Sequence, residues 1–248
     1  TMFAAFLVPG AALSDSLTTT QTNNYGVHSG LIDMPTAEMA PDASFGATVS
    51  HFGTTTRATL SFQVLPRVIG SFRYSLLENS NLPGNRDGDY YDRSFDISYQ
   101  ILTENSWRPA ISIGLRDFIG TGLYSSEYIV ATKGFAQDRL RLTYAYVDFY
   151  ASNRLDQRLT ARNSGSAAWL RSWGGGIDTS LIYYGSDMLN ERRFERLDGR
   201  IGKRFDIGRT SLELAANWQY RLDDEALTWS ENLYDSPSQF YLTADFRF

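Results

Sequence analysis

The 248-residue chain has no cysteine and only two histidines, His28 and His51. Without cysteine it offers no disulfide, no thiolate metal site and no thiol to carry a lipid. Proline is scarce at seven residues, most of them outside the alternating segments described below. No stretch of the sequence approaches the ~18 consecutive apolar residues of a membrane helix, so any crossing of a bilayer falls to strands. The net charge of −5 is mild and weighs against general nucleic-acid binding.

Signatures of catalysis are equally thin. No serine sits in a nucleophile-elbow motif. His28 precedes Ser29 in an unpatterned stretch, and His51 stands beside Phe52 near a strand end. Gly174-Gly175-Gly176 reads as a turn, because no Lys and Ser/Thr follow at phosphate-loop spacing. Gly84-Asn85-Arg86-Asp87-Gly88-Asp89 invites a Ca²⁺-loop reading, but the EF-hand spacing and its closing Glu are missing. Glycoside hydrolysis needs two opposed carboxylates, and the sequence singles out no pair; Asp223-Asp224 reads as part of a solvated loop. The expectation is a non-enzymatic protein with no catalytic, cofactor-binding or metal-binding residues.

Aromatic residues and alternation are abundant. Fifteen Tyr, fifteen Phe and five Trp suit the belts that flank a membrane's hydrocarbon core. In the last nine residues, Phe240, Leu242, Ala244, Phe246 and Phe248 point one way, and Tyr241, Thr243, Asp245 and Arg247 the other. That pattern, ending on Phe248, fits the closing strand of an outer-membrane barrel, apolar outside and polar inside. Segment 211–221 alternates most cleanly: Leu212, Leu214, Ala216, Trp218 and Tyr220 oppose Ser211, Glu213, Ala215, Asn217, Gln219 and Arg221. Segments 57–64 and 94–101 behave alike, and further strands are expected at 44–52, 68–77, 109–118, 127–135, 140–149, 166–173, 176–185, 194–205 and 238–248. The spans 109–118, 140–149 and 166–173 slip register, as bulges or strand ends would make them. The fold class is therefore all-β: a transmembrane antiparallel β-barrel of about twelve strands.

Connection lengths support this independently. With the N-terminus on the periplasmic side, the turns there are 66–67, 103–108, 136–139, 174–175 and 206–209. The opposite side receives 53–54, 78–93, 119–126, 150–165, 186–193 and 223–237, including the four longest connections. A soluble meander has no reason to segregate its loops by length. Ahead of the barrel, residues 1–13 are expected to be a signal-peptide remnant, given the apolar run Met2–Val8 and the small-residue exit Gly10-Ala11-Ala12. Residues 14–42 are expected to form a plug or linker, and 43–248 the barrel.

Seven blocks stand in order: Asn24-Tyr25-Gly26; Gly30-Leu31-Ile32-Asp33-Met34-Pro35-Thr36-Ala37; Phe62-Gln63-Val64-Leu65-Pro66-Arg67; Ser71-Phe72-Arg73-Tyr74; Asp92-Arg93-Ser94-Phe95-Asp96; Asp117-Phe118-Ile119-Gly120-Thr121-Gly122; and Glu127-Tyr128-Ile129-Val130-Ala131-Thr132-Lys133. Over about 24–135 the chain resembles the YjbH-like outer-membrane proteins of exopolysaccharide and capsule operons. The resemblance implies an outer-membrane barrel in polysaccharide production or export, and no catalytic mechanism. Family members are longer, and some resemble lipoproteins, whereas this sequence has no cysteine to lipidate. Beyond about residue 140 no family motif is legible.

The expected lumen offers the one clue to a ligand. Inward positions include Arg57, Arg73, Arg116, Arg141, Arg196, Arg200, Arg204, Arg221 and Arg247, against the fewer acids Asp96, Glu127, Asp198, Glu213 and Asp245. Arg57, Arg73, Arg196, Arg200, Arg204, Arg221 and Arg247 are the candidate polysaccharide-binding residues, because guanidinium groups suit planar recognition of carboxylate or phosphate. At ~3.3 Å per residue, Arg196 to Arg204 spans roughly 26 Å, enough for several sugar units. The bland alternative is that arginines and acids pair across a narrow barrel and fill it. The implied partners are the outer-membrane bilayer of a Gram-negative bacterium, an acidic polysaccharide and other exopolysaccharide-export proteins, with no nucleic acid. Two other functions stay open: a general small porin or channel, and an outer-membrane lipid- or polysaccharide-modifying enzyme.

Overall fold

Period-two alternation puts one face of every strand in water or protein and the other in an apolar medium, and a closed ring meets both demands without leaving an edge. A computed structural model describes residues 30–31, 34–52, 55–78, 88–122, 125–135, 140–150, 158–187, 193–222 and 238–247. Among these there is no helix. Two short strands, β1 (Gly30–Leu31) and β2 (Met34–Pro35), pair with each other. Twelve more follow: β3 (Phe45–Phe52), β4 (Thr55–Leu65), β5 (Val68–Leu77), β6 (Tyr90–Leu102), β7 (Ala110–Gly120), β8 (Ser126–Phe135), β9 (Leu140–Tyr150), β10 (Arg158–Gly174), β11 (Ile177–Asp187), β12 (Arg193–Ile207), β13 (Thr210–Arg221) and β14 (Ser238–Arg247). Each pairs antiparallel with its neighbours, and β14 closes the barrel on β3 with Tyr241 opposite Phe52 and Arg247 opposite Gly46.

The outward face is that of a membrane-spanning barrel. Leu60, Ile97, Ile113, Ile129, Leu142, Leu181, Ile201 and Leu214 are exposed along its middle. Aromatic residues lie toward both ends: Phe62, Tyr99, Phe135, Trp173 and Phe205 at the short-turn end, and Tyr74, Tyr91, Tyr146, Tyr183 and Tyr220 at the other. Trp218 stacks on Tyr220 with centroids 5.8 Å apart and also meets Phe240. At the short-turn end, turns 66–67, 175–176 and 208–209 are two residues each.

Strand bounds depart from the sequence pattern at a few places. β10 begins at Arg158, inside the expected loop 150–165, and pairs with β9 from there. The slip expected at 109–118 is a bulge in which β7 spends Arg116, Asp117 and Phe118 opposite the single residue Asp96. Asp117 takes a positive φ of 47° there, a left-handed conformation that Asp tolerates better than most residues. The slip near 166–173 is an irregularity between Ser172 and Gly174. No slip occurs in 140–146, where Leu140, Leu142, Tyr144 and Tyr146 face out and Arg141, Thr143 and Ala145 face in. The break in alternation lies in Val147-Asp148-Phe149, whose side chains lie outside the described residues.

Glu127 is a correction. It was expected to face the lumen, but it is exposed on the outer surface. The phase of β8 is set by Tyr128, Val130 and Thr132, which are buried inside. Tyr128 lies over Gly114 of β7, where an added Cβ would overlap the ring. Residues 1–29, Phe248 and the acidic stretch Asp223-Asp224-Glu225 lie outside the described residues.

Candidate functional site

The inward wall of β11–β14 carries the expected arginine ladder. Arg196, Arg200 and Arg204 occupy alternate inward positions of β12 together with Asp198 and Gly202. Arg196 Nε donates to Asp198 Oδ2 at 3.0 Å and lies over the Tyr184 ring at 5.2 Å. Arg200 donates to Glu213 and also reaches Asn217 Oδ1 and Thr243 Oγ1, each at 3.4 Å. Arg204 faces Asp178 at 3.8 Å. Arg221 is the cross-strand neighbour of Arg196. Glycine at 202 makes room for this arrangement, since a Cβ there would fall 2.7 Å from Glu213 Oε1.

On β4–β7 a second polar cluster forms, and three of the sequence blocks converge in it. Arg73 Nη2 donates to Ser94 Oγ at 2.7 Å and faces Asp96 at 3.6 Å. Ser71 and Ser94 donate to the two oxygens of Asp96 at 3.3 and 3.0 Å. The backbone N–H of Asp117, in the bulge, donates to Asp96 Oδ1 at 2.7 Å. Thr121 donates to Asp92, and its N–H bonds the Arg93 carbonyl at 2.9 Å. Arg57 Nε donates to Ser75 Oγ at 3.2 Å. Arg57 and Arg73 are only 1% and 0% exposed. Guanidinium groups lining a wide, water-filled lumen would be wetter, so at this level the interior is packed.

A third feature crosses the short-turn end. After β2 the chain runs inside the barrel, and Thr36 and Ala37 are buried. The Ala37 N–H donates to Thr132 Oγ1 at 3.0 Å, and its carbonyl accepts from Gln100 Nε2 at 2.7 Å and Ser112 Oγ at 3.2 Å. The Ala40 N–H donates to Gln63 Oε1 at 3.1 Å, and Glu38 forms an ion pair with Arg141. Side chains of β4, β6, β7, β8 and β9 thus hold this strap mostly by its backbone.

Of the seven candidate arginines, Arg57, Arg73, Arg196 and Arg200 are buried inside the barrel, and Arg204 and Arg221 are half-buried. They sit on β4, β5, β12 and β13, within one arc of the wall that continues through β14 and β3. The backbone of Arg247 pairs with Ser211, and its side chain lies outside the described residues. Sequence reasoning missed the inward acids Asp92, Asp117 and Asp178 and the strap acid Glu38. With them counted, the interior is nearer charge balance than the expected excess of arginine. Extending β6 back to Tyr90 would have exposed Asp92, and alternation along the expected strand 176–185 already puts Asp178 on the face of Ser180 and Ile182; the slip in 109–118 marks the bulge but not that it buries Asp117. Among the described residues no group of His, Asp or Glu is arranged to hold a metal ion. His51 faces outward, with Nδ1 2.8 Å from Thr56 Oγ1, away from the lumen.

Comparison with known proteins bears on this architecture. The model of the YjbH family, described as exopolysaccharide biosynthesis protein YbjH, matches residues 21–189. The match runs past the last motif block and covers the whole of β11. An uncharacterized lipoprotein YjbH of Escherichia coli (strain K12) is 25% identical over 166 residues, which is 64% of this chain and 24% of the relative. The chain therefore spans about a quarter of the length of that curated relative. Among solved structures, a NanC porin aligns with a TM-score of 0.51 at 9% identity, over 82% of this chain and 98% of that one. A KdgM porin aligns at 0.50 and 9% identity, over 83% and 98%. At such identity the likeness concerns the barrel fold.

Proposed function

The chain belongs to the YjbH family of exopolysaccharide biosynthesis proteins, and from this premise we propose that it is a non-enzymatic outer-membrane barrel that handles an acidic polysaccharide during its production or export. The observation that carries the reading is the inward row of Arg196, Arg200 and Arg204, joined by Arg221 across the strand pair. These groups are compensated by Asp198, Glu213 and Asp178, all from the same wall. An incoming carboxylate on a sugar can replace such an intramolecular partner, because guanidinium binds either in the same planar, bidentate manner. Asn217, Gln219 and Thr243 line the same wall and suit sugar hydroxyls.

The outer membrane is the location that suits an apolar, aromatic-bounded barrel of this kind. Packing around Arg57 and Arg73 speaks against free solute diffusion past that level, which would call for a wetter lumen. The outward position of His51 favours a role without acid–base chemistry.

Replacing Arg196, Arg200 and Arg204 together with Gln tests the reading in cells. The variant is expected to reach the membrane at normal levels and to lower acidic exopolysaccharide export, while a His51→Gln variant leaves export unchanged. Normal export by the triple variant would reduce the ladder to packing. Loss of export in His51→Gln, with the barrel folded, would favour an enzyme.

A further inference from the structure

We infer that the strap of residues 36–40 occupies a second, carboxylate-recognising saccharide site at the short-turn end of the lumen, with Glu38 standing in for the carboxylate of an acidic sugar. The inference rests on the proposed function and concerns different residues. Ala37 and Ala40 contribute little more than methyl groups, and the described polar contacts of both are made by their backbone N–H and C=O. The side chains that hold them are two amides and two hydroxyls, Gln63, Gln100, Thr132 and Ser112, all of which are buried. Those groups bind sugar hydroxyls with the same geometry they use for peptide groups. Arg141 supplies the matching cation, and its described partner is the one carboxylate of the strap.

A permanent plug would be expected to bury large apolar side chains, since burial of apolar area is the main source of lasting stability. This strap buries the methyl of Ala37 among Ile69, Ala110, Tyr128, Val130 and Ala145, and Met39 is its one large apolar side chain, only partly buried; its other contacts are hydrogen bonds whose partners a saccharide can supply in turn. Such contacts contribute little net free energy each when they are exchanged for equivalent ones. The strap and an acidic chain therefore compete for one site, and release of the strap opens it.

The absence of cysteine from this sequence allows a reversible test. Ala37→Cys with Thr132→Cys places a disulfide across a contact whose present donor and acceptor are 3.0 Å apart. Binding of trigalacturonate to the purified protein in detergent is measured by calorimetry, with neutral maltotriose as control, before and after reduction. The folded state of each form is checked by resistance to SDS below the heating step. The oxidised form is expected to lose trigalacturonate binding at this site, and reduction to restore it to the level of the Thr132→Cys single variant. Glu38→Gln is expected to bind roughly tenfold more tightly, as loss of an internal competitor worth one decade implies. Adding Arg141→Gln to Glu38→Gln should cancel that gain.

Equal binding by oxidised and reduced forms overturns the inference. So does an equal gain for maltotriose, which would remove the carboxylate from the argument. If the arginine-ladder triple variant loses binding while the disulfide has no effect, the proposed function stands and the strap site fails. If no folded form binds trigalacturonate, both fail.

Discussion

On β5–β7, Asp96 accepts from Ser71, from Ser94 and from the backbone N–H of Asp117, and it faces Arg73. On β12–β13, Arg196, Arg200 and Arg204 meet the side chains of Asp198, Glu213 and Asp178. Both regions bury arginine beside carboxylate inside the same barrel, but they are tied down differently. The first fastens a carboxylate to the backbone of a bulge and draws on three motif blocks. The second pairs long, flexible side chains on regular strands, and such pairs can change partner without moving the backbone. The contrast separates a polar cluster that fixes shape from one that is suited to exchange.

The sharpest way to break this contrast is Asp96→Ala. It takes the Asp96 carboxylate away from Arg73 and the acceptor away from the Asp117 N–H, inside the barrel. Removing one partner of a buried pair costs about 3–5 kcal/mol. The loss should appear as a lower urea midpoint of the detergent- or vesicle-folded protein. By contrast, Glu213→Gln keeps a neutral acceptor near Arg200 and should cost much less. Equal losses would mean that both clusters are structural.

Next in size is the outward wall. Leu214→Arg on β13 and Ile113→Arg on β7 should each cost ~2–4 kcal/mol near the bilayer midplane. Urea unfolding from lipid vesicles measures both. Similar penalties would show that the motif-free half of the chain faces lipid as the motif-rich half does. A near-zero cost on either strand would mean that its outward face is not in the hydrocarbon.

Two glycines sharpen the comparison further. Gly114→Ala pushes a methyl into the Tyr128 ring, which is wedged inside, and overpacking of that kind costs about 1–3 kcal/mol. Gly202→Ala presses on Glu213 Oε1, the end of a side chain that can shift. It should cost less in stability and show instead as altered ligand binding, because it disturbs the Arg200–Glu213 pair.

The strands were largely legible because alternation records the two media directly. Ser211–Arg221 could be assigned residue by residue, and Leu214, Trp218 and Tyr220 face out as their chemistry requires. Arg57, Arg73, Arg196 and Arg200 were placed correctly from the same period. What the period could not carry was the contact that lies behind a break in it. The bulge at Asp117 depends on a cross-strand acceptor, Asp96, that lies 21 residues away in sequence. Glu127 was misplaced because its strand's phase is fixed by Tyr128 fitting against Gly114, a contact between strands. Nor could the pairing partners of the ladder be read. Asp178 belongs to β11 and meets Arg204 of β12 only once their register is known. The strap contacts were equally hidden, since Ala37 and Ala40 bind through backbone atoms that every residue has.

Trigalacturonate binding by the purified arginine-ladder variant, at low and at high salt, tests the central claim most directly. The unaltered protein should bind at low ionic strength and weaken as salt screens the guanidinium groups. Arg196→Gln, Arg200→Gln and Arg204→Gln together should leave the barrel folded, weaken binding and flatten its salt dependence. A folded triple variant that binds as tightly as the unaltered protein, with the same salt dependence, would contradict the account.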